Sequence, residues 1–214
     1  MGYCRRMLRL LILTAAFAYV ADAKQPRPAQ TGRSRVLPPI AYPTKRFETR
    51  PELGKYQDAW RFIRLNKTMY LFKRSYKGMY HNDERCVVAK PLGIDSDKVT
   101  MKVTNNGRTM FHRFFRKNHT TEYNESNVLV ASFSELSPGY QYPMGFSDYK
   151  SCGIVRVPHY EKKNVPACEL WTIGRPRVGN CCRFVYDLLC GTKDYVQLRC
   201  QQMQSVKVAY ICRY

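Results

Sequence analysis

Residues 167–173 carry the side chains with the most distinctive chemistry. If this segment is a β-strand, Glu169 and Trp171 share one face, because successive side chains alternate across a strand. A carboxylate on the inner face of a barrel is costly to bury without a partner. Three arrangements are open to Glu169. It binds a protonated amine, assisted by the faces of Trp171 or Tyr76; it pairs with an internal Arg or Lys; or it faces solvent. Residue chemistry leaves these alternatives open.

The other titratable residues predict no catalytic site. The sequence has no G-x-S-x-G, no H-E-x-x-H and no glycine-rich phosphate-binding loop. The four histidines are scattered along the chain: His81, His112, His119 and His159. A catalytic base must lie within hydrogen-bond reach of its partner. We therefore expect a binding protein rather than an enzyme, with no cofactor and no metal.

Residues 1–23 predict the cellular compartment. They combine a basic start, an apolar run at 8–20 that Arg9 interrupts, and the sequence Ala21-Asp22-Ala23, a pattern typical of a cleaved secretory signal peptide. The run is shorter than the ~20 apolar residues of a transmembrane helix. We expect a secreted, extracellular protein that is not inserted in a membrane. Cleavage removes three arginines and one aspartate, which lowers the net charge from +20 to +18.

The cysteines and the glycosylation sequons agree with secretion. Cleavage also removes Cys4, which leaves an even number of cysteines and no C-x-x-C pair, a pattern that favours disulfides over zinc. The remaining cysteines are Cys86, Cys152, Cys168, Cys181, Cys182, Cys190, Cys200 and Cys212. Three Asn-x-Ser/Thr sequons predict N-glycosylation at Asn66, Asn118 and Asn124.

The chain divides into a basic arm and a folded domain. Residues 24–51 are rich in proline and basic side chains, which predicts a flexible arm, and residues 52–214 are the expected domain. The high positive charge predicts an anionic partner. The arm is either simply solvated or binds a heparin-like polyanion. The basic and aromatic run at 111–117 suits nucleic acid, but predicted secretion and the lack of a known nucleic-acid module argue against it.

Short segments rich in Val, Thr, Tyr and Phe predict β-strands separated by turns. They lie at 68–76, 85–90, 99–104, 108–115, 127–133, 153–157, 167–173 and 195–200, with 206–211 as a further candidate. A short helix precedes them at 56–65. This order indicates an all-β fold with minor α, an eight-stranded antiparallel barrel that can hold one small ligand. A sandwich is the alternative.

A second helix is predicted late in the chain, from Asn180 as its candidate N-cap to Cys190. Its expected apolar stripe comprises Cys181, Phe184, Val185, Leu188 and Leu189.

The sequence Asn106-Gly107 predicts a β-hairpin, because Asn-Gly tolerates the positive φ of a type I′ turn. A two-residue loop there pairs Met101 with His112 and makes one strand face almost wholly apolar. We favour this register, in which His112 is the one polar residue of the inner face. A shift by one residue would instead send Arg113 inward.

Four stretches form a pattern of specific order and spacing. They are Tyr56-Gln57-Asp58-Ala59-Trp60, then Tyr70-Leu71-Phe72-Lys73-Arg74-Ser75-Tyr76, then Ser147-Asp148-Tyr149-Lys150-Ser151-Cys152-Gly153-Ile154, and finally Glu169-Leu170-Trp171 followed by Cys182. Over most of residues 54–200 the chain resembles the tick salivary lipocalins of the histamine-binding type. The resemblance implies a lipocalin barrel closed by a helix and stabilised by disulfides. It also implies secretion in saliva and sequestration of host histamine, serotonin or eicosanoids, which blunts inflammation and haemostasis.

The family's cysteine spacing implies specific disulfides. These are Cys86–Cys200 and Cys152–Cys182, with Cys168–Cys190 as the expected third bridge, which leaves Cys181 for Cys212. We expect the disulfide-bonded domain to be a monomer.

The resemblance and the hairpin together define the candidate ligand-binding residues, Tyr76, His112, Glu169 and Trp171. The chain departs from the family at two acidic positions. The family signature includes a Cys-Asp-aliphatic triplet, and in this chain Gly153 replaces its aspartate. The family also has an acidic residue just after the position of Tyr76, where this chain has Lys77-Gly78-Met79. The first expectation is a biogenic amine in the barrel. The alternatives are an anionic lipid such as a leukotriene, held by an inward Arg or Lys, and a surface binder of polyanions or host proteins.

Overall fold

Eight antiparallel strands form a closed ring of hydrogen bonds in the computed structural model of the chain. It describes residues 46–77, 86–162, 165–192, 196–197 and 200. The strands are β1 Met69–Arg74, β2 Val87–Ile94, β3 Lys98–Asn105, β4 Arg108–Asn118, β5 Val128–Ser132, β6 Tyr140–Ser147, β7 Cys152–Arg156 and β8 Cys168–Ile173. Each strand pairs with the next, and β1 pairs with both β2 and β8, so the ring closes. The predicted antiparallel barrel is confirmed. A two-residue strand, β9 (Val196–Gln197), pairs with the second half of β1.

Short helices accompany the strands. They are α1 Ala59–Ile63, α2 Asn180–Cys190 and the 3₁₀ helices Phe47–Thr49, Pro51–Tyr56 and Pro158–Tyr160. Asp58 begins α1, because its Oδ1 accepts the backbone N–H of Arg61 at 2.9 Å. The buried side chains of Phe62 and Ile63 then belong to the barrel core, so α1 forms the floor of the interior. Within the described residues no helix has the length and apolar character that a membrane crossing requires.

Strand β6 is absent from the sequence prediction, and its composition explains why. It contains Pro143 and Gly145, residues that ordinarily interrupt strands. The register of β6 against β7 shifts between Met144 and Phe146, next to the glycine. A Cβ at Gly145 would lie 3.0 Å from Leu189 Cδ1 of α2. The glycine therefore allows α2 to pack closely on this strand.

The β3–β4 hairpin confirms the predicted turn but not the predicted register. Asn106 and Gly107 have φ values of 50° and 80°, as a two-residue loop requires. A β-bulge between Val103 and Thr104 then shifts the pairing by one residue, so that Met101 faces Arg113. The prediction that His112 lies on the inner face is wrong. His112 is exposed on the outside, whereas Arg113 is 5% exposed and points inward.

Helix α2 spans the predicted residues but turns a different face to the barrel. Its buried residues are Cys182, Val185, Tyr186, Leu189 and Cys190, whereas the predicted stripe members Phe184 and Leu188 are 48% and 45% exposed. The disulfides Cys152–Cys182 and Cys168–Cys190 join both ends of the helix to β7 and β8 and so fix its rotation. The N-cap position expected for Asn180 is occupied by Gly179, so no side chain caps the first turn of the helix.

Three disulfides agree with those implied by the family resemblance: Cys86–Cys200, Cys152–Cys182 and Cys168–Cys190. Cys181 is also disulfide-bonded. Cys212 lies outside the described residues, so its pairing with Cys181 stays a prediction. The candidate strand at 206–211 lies there as well.

The structure describes the end of the predicted arm and all three sequons. The signal segment and residues 24–45 lie outside the described residues. At the end of the predicted arm, Glu48 is buried and Arg46 forms an ion pair with Glu161 at 2.8 Å, so the folded part begins before residue 52. Asn66 and Asn124 are exposed and Asn118 is partly exposed at the end of β4. Glycosylation of these residues stays a prediction.

Candidate functional site

The interior of the barrel contains a cavity whose walls are mostly apolar. About 50 Å³ of it is open to the centres of water-sized molecules. Its walls comprise Phe62, Ile63, Met69, Ala89, Met101, Val103, Arg113, Phe115, Leu129, Tyr142, Val155, Glu169 and Trp171. The ionisable side chains among them are Arg113, Tyr142 and Glu169. The cavity thus has an apolar body and one polar region, an arrangement typical of small-molecule sites.

Glu169 is the acidic centre of the polar region. Its side chain is buried, with Oε1 accepting a hydrogen bond from the Tyr76 hydroxyl and Oε2 accepting the Trp171 Nε1–H at 2.8 Å. The structure therefore brings together three of the four predicted ligand-binding residues. Strand alternation places Glu169 and Trp171 on the same face of β8, as expected.

Arg113 is the basic centre of the polar region, and the predicted site did not include it. Its Nη2 donates to the hydroxyl of Tyr142, and its guanidinium carbon lies 4.8 Å from the centre of that ring. The Tyr142 hydroxyl in turn lies 3.4 Å from His159 Nε2. Burial raises the pKa of Tyr142 more than the neighbouring Arg113 lowers it, so the hydroxyl stays protonated near neutral pH.

A second arginine faces the interior on the neighbouring strand. Arg74 of β1 lies directly opposite Glu169 of β8 in the register and is buried. The register of β1 against β8 shifts between Leu71 and Lys73. Before the shift Leu71 lies opposite the inward Trp171. After it Lys73 lies opposite Leu170, so the next residue, Arg74, comes opposite Glu169. Among the described buried residues of the interior, Glu169 is thus accompanied by two arginines.

Aromatic rings surround the polar region. Tyr76 stacks on Tyr160 with centroids 4.5 Å apart, and Tyr140 stacks on His159 at 4.4 Å. His159 also meets the Tyr142 ring edge-on at 5.3 Å. Burial and, next, the positive charge of Arg113 lower the pKa of His159, although Glu169 acts in the opposite sense. The ring of His159 is therefore neutral at physiological pH.

At Gly153, where the chain differs from the family signature, the structure leaves no room for a side chain. A Cβ at this position would lie 2.4 Å from Phe62 Cε2, well inside van der Waals contact. The Phe62 ring, which lines the cavity, thus occupies the space where an aspartate side chain would begin. Here an aromatic ring stands where the family places a carboxylate.

Two of the resembling motifs have structural roles. The backbone N–H of Asp58 donates to the Tyr149 hydroxyl at 2.9 Å. This hydrogen bond joins the N-cap of α1 to the β6–β7 turn. Asp148 Oδ1 accepts the backbone N–H groups of Lys150, Ser151 and Cys152. Burial alone would raise the pKa of Asp148, but these bonds and the Ser151 hydroxyl lower it.

One cluster of side chains has residue types that bind metals, but its two cysteines are not available as ligands. Oxygen and sulfur atoms of Asp148, Cys152 and Cys182 lie within 4.8 Å of one another. The two cysteines are joined in a disulfide, so neither supplies a thiolate ligand.

Comparison with known proteins assigns the chain to a family. The family model described as "Tick histamine binding protein" matches residues 47–201, which include the cavity and the described disulfides. The chain belongs to the tick histamine-binding protein family. The sequence resemblance to this family is confirmed, and with it a coarse function in small-ligand binding.

Individual known proteins are similar to the chain at low sequence identity. The male-specific histamine-binding salivary protein of Rhipicephalus appendiculatus is 25% identical over 155 residues, which are 62% of this chain and 72% of that protein. Among solved structures, AM182 in complex with serotonin is 16% identical and has a TM-score of 0.45, with 65% of this chain and 89% of that one covered. Japanin from Rhipicephalus appendiculatus bound to cholesterol is 17% identical, with a TM-score of 0.42 and coverage of 58% and 87%.

Proposed function

We propose that the chain is a secreted, non-enzymatic carrier that sequesters one small amphipathic host mediator inside its barrel. The apolar cavity suits the body of such a ligand, and the polar region suits a charged end group. Secretion is supported by the pattern of residues 1–23, and removal of a mediator from the bite site would blunt inflammation or haemostasis. N-terminal sequencing of the protein released by insect cells tests the first step, with Lys24 as the expected first residue.

The charged end group is proposed to be a carboxylate, as in a leukotriene-type lipid. The observation that carries this choice is the inward Arg113, which lines the cavity next to Tyr142. A guanidinium binds a carboxylate with two parallel hydrogen bonds. Arg74 is also buried and lies opposite Glu169 on the neighbouring strand, so its positive charge adds to the attraction for an anion.

An acyl chain needs more room than the cavity offers, and the cavity walls can supply it. Met69 and Met101 lie on the wall, and methionine side chains rearrange at low cost because they are unbranched. Binding of a long ligand is therefore expected to displace these two side chains.

A biogenic amine is the second candidate, because of Glu169 itself. Its carboxylate lies in the cavity wall beside Trp171, and the Tyr76 ring adds an aromatic face. A protonated amine is attracted by both groups. A compact amine such as histamine also needs less displacement of side chains than a lipid does.

Titration calorimetry with leukotriene B4, histamine and serotonin separates the two candidates. We expect heat with the leukotriene and a loss of affinity of roughly 10-fold or more in Arg113→Gln, since a charged hydrogen bond is removed. Glu169→Gln is the matched control, which should retain leukotriene binding. Heat with an amine that Glu169→Gln abolishes, while Arg113→Gln keeps it, would establish the amine instead. No heat with any of the three would refute both.

A further inference from the structure

Three basic side chains form a row across the outer face of the barrel. Lys90 of β2 lies directly opposite Lys102 of β3, which lies directly opposite His112 of β4. Lys90 and His112 are exposed and Lys102 is partly exposed. Neighbouring strands lie about 4.8 Å apart, so the row spans about 10 Å. We call Lys90, Lys102 and His112 the basic row.

The basic row contributes nothing evident to the stability of the sheet. Like charges directly opposite each other on paired strands are destabilising. Two other lysines of the barrel wall are paired, Lys98 with Glu135 at 2.7 Å and Lys73 with Asp187 at 2.9 Å. Within the described part of the chain, no ion pair or hydrogen bond joins the basic row to another side chain. Its charge is therefore open to a partner in solution.

Acidic residues are missing from all three strands that carry the basic row. Strands β2, β3 and β4 contain basic residues but no Asp or Glu, and the only acids between Val87 and Asn118 are Asp95 and Asp97 in the β2–β3 turn. Arg108 and Arg116 lie on β4 on either side of His112 and are exposed. Near the β2–β3 turn, Lys98 pairs with Glu135, and Arg116 lines the same surface depression as Asp95 and Asp97. Around the basic row itself, the charged residues of the three strands are all basic.

We propose that the basic row is the docking site of a sulfated polysaccharide. A linear polyanion that crosses the strands can place successive sulfate groups against the two lysines and the imidazole, with the field of the whole chain drawing it in. The choice of a sulfated glycan rests on the proposed secretion, since it is an extracellular polyanion. The site is separate from the barrel cavity, because the basic row lies on the opposite face of the strand wall.

Heparin-column elution and binding of a heparin octasaccharide test the site. The variant Lys90→Gln/Lys102→Gln is compared with Arg175→Gln/Arg177→Gln, which removes the same charge from exposed positions after β8. We expect the first variant to elute at clearly lower salt and to bind roughly 10-fold more weakly, and the second to stay close to the unchanged protein. Matching thermal unfolding curves verify that both variants are folded.

Several outcomes would overturn the proposal. Equal losses in the two variants would mean that total charge, not the basic row, determines binding. A variant without residues 24–45 that loses all heparin binding would assign the site to the arm. Equally tight binding to phosphatidylserine vesicles or duplex DNA would remove the assignment to a sulfated glycan. The outcome is independent of the cavity ligand, since leukotriene and amine titrations report on a different part of the molecule.

Discussion

The barrel buries arginine next to glutamate in two regions, and the two regions differ in what surrounds the charges. Outside the wall, Arg156 lies under α2, where its Nε is 2.8 Å from Glu48 Oε1 and its Nη2 is 3.0 Å from Glu161 Oε1. Its Nη1 also donates to the carbonyl of Leu189 at 3.3 Å. Inside the wall, Arg113 and Glu169 line a cavity, with tyrosine and tryptophan as neutral partners.

The difference separates a charge that is enclosed by the packed fold from charges that line a cavity. Arg156 is enclosed by carboxylates and a carbonyl in packed surroundings, so the group is compensated by the fold. Arg113 and Glu169 line the cavity: Arg113 donates to the Tyr142 hydroxyl, and Glu169 accepts from the Tyr76 hydroxyl and the Trp171 indole. Buried charges are costly unless compensated, and preorganised charges beside a cavity are how a small site selects the charge of its ligand.

The largest effect is expected from breaking the outer pair. Arg156→Met leaves the Glu48 carboxylate buried without its cation, which should lower the free energy of unfolding by about 3–5 kcal/mol. Denaturant unfolding with the disulfides intact measures this loss. Arg46→Gln is the control: its salt bridge to Glu161 is half exposed, and it should cost less than about 1 kcal/mol. Equal costs for the two variants would contradict the structural role of Arg156.

Much of the fold could be predicted because its signals are local. The Asn106-Gly107 turn follows from the positive φ that its backbone requires, and the strand character of β8 follows from its side chains. Strand β6 could not be predicted, because Pro143 and Gly145 are tolerated there only through the register shift and the close approach of α2. The face that α2 buries is set by its disulfides rather than by its own apolar pattern.

The acidic half of the site could be predicted and the basic half could not, for one physical reason. Glu169 and Trp171 alternate along an uninterrupted strand, so their shared face is readable from the sequence. Arg74 and Arg113 each follow a register shift, one in β1 and one at the β3–β4 pair. A bulge adds one residue and exchanges the faces of everything beyond it. Nothing local in the sequence marks the position of either bulge.

A smaller effect is expected from restoring the family's carboxylate inside the barrel. Gly153→Asp forces its Cβ against the Phe62 ring and should cost about 1–3 kcal/mol through overpacking, measured by denaturant unfolding. Phe62→Ala/Gly153→Asp provides the room, so the double variant should lose less than the sum of the single variants. It should also gain heat with histamine in calorimetry, since the added carboxylate offsets an arginine. Unchanged stability of Gly153→Asp would mean that Phe62 moves aside freely.

The smallest effect concerns pH and tests the sign of the interior charge. Burial and Arg113 hold the pKa of His159 below its ordinary value of 6.5. The neutral ring therefore stabilises the free protein above that pH, and this contribution is lost as the pH falls through 6.5 toward the lowered pKa.

A carboxylate bound at Arg113 offsets the positive charge near His159 and raises the pKa of the imidazole. Proton uptake is then linked to binding, and leukotriene affinity should increase roughly 2- to 3-fold between pH 7.5 and 5.5. An amine should show the reverse. Calorimetry at both pH values measures the change. His159→Gln should flatten it, while His119→Gln, at an exposed position away from the cavity wall, should leave it intact. Weaker leukotriene binding at the lower pH would contradict a carboxylate held beside Arg113.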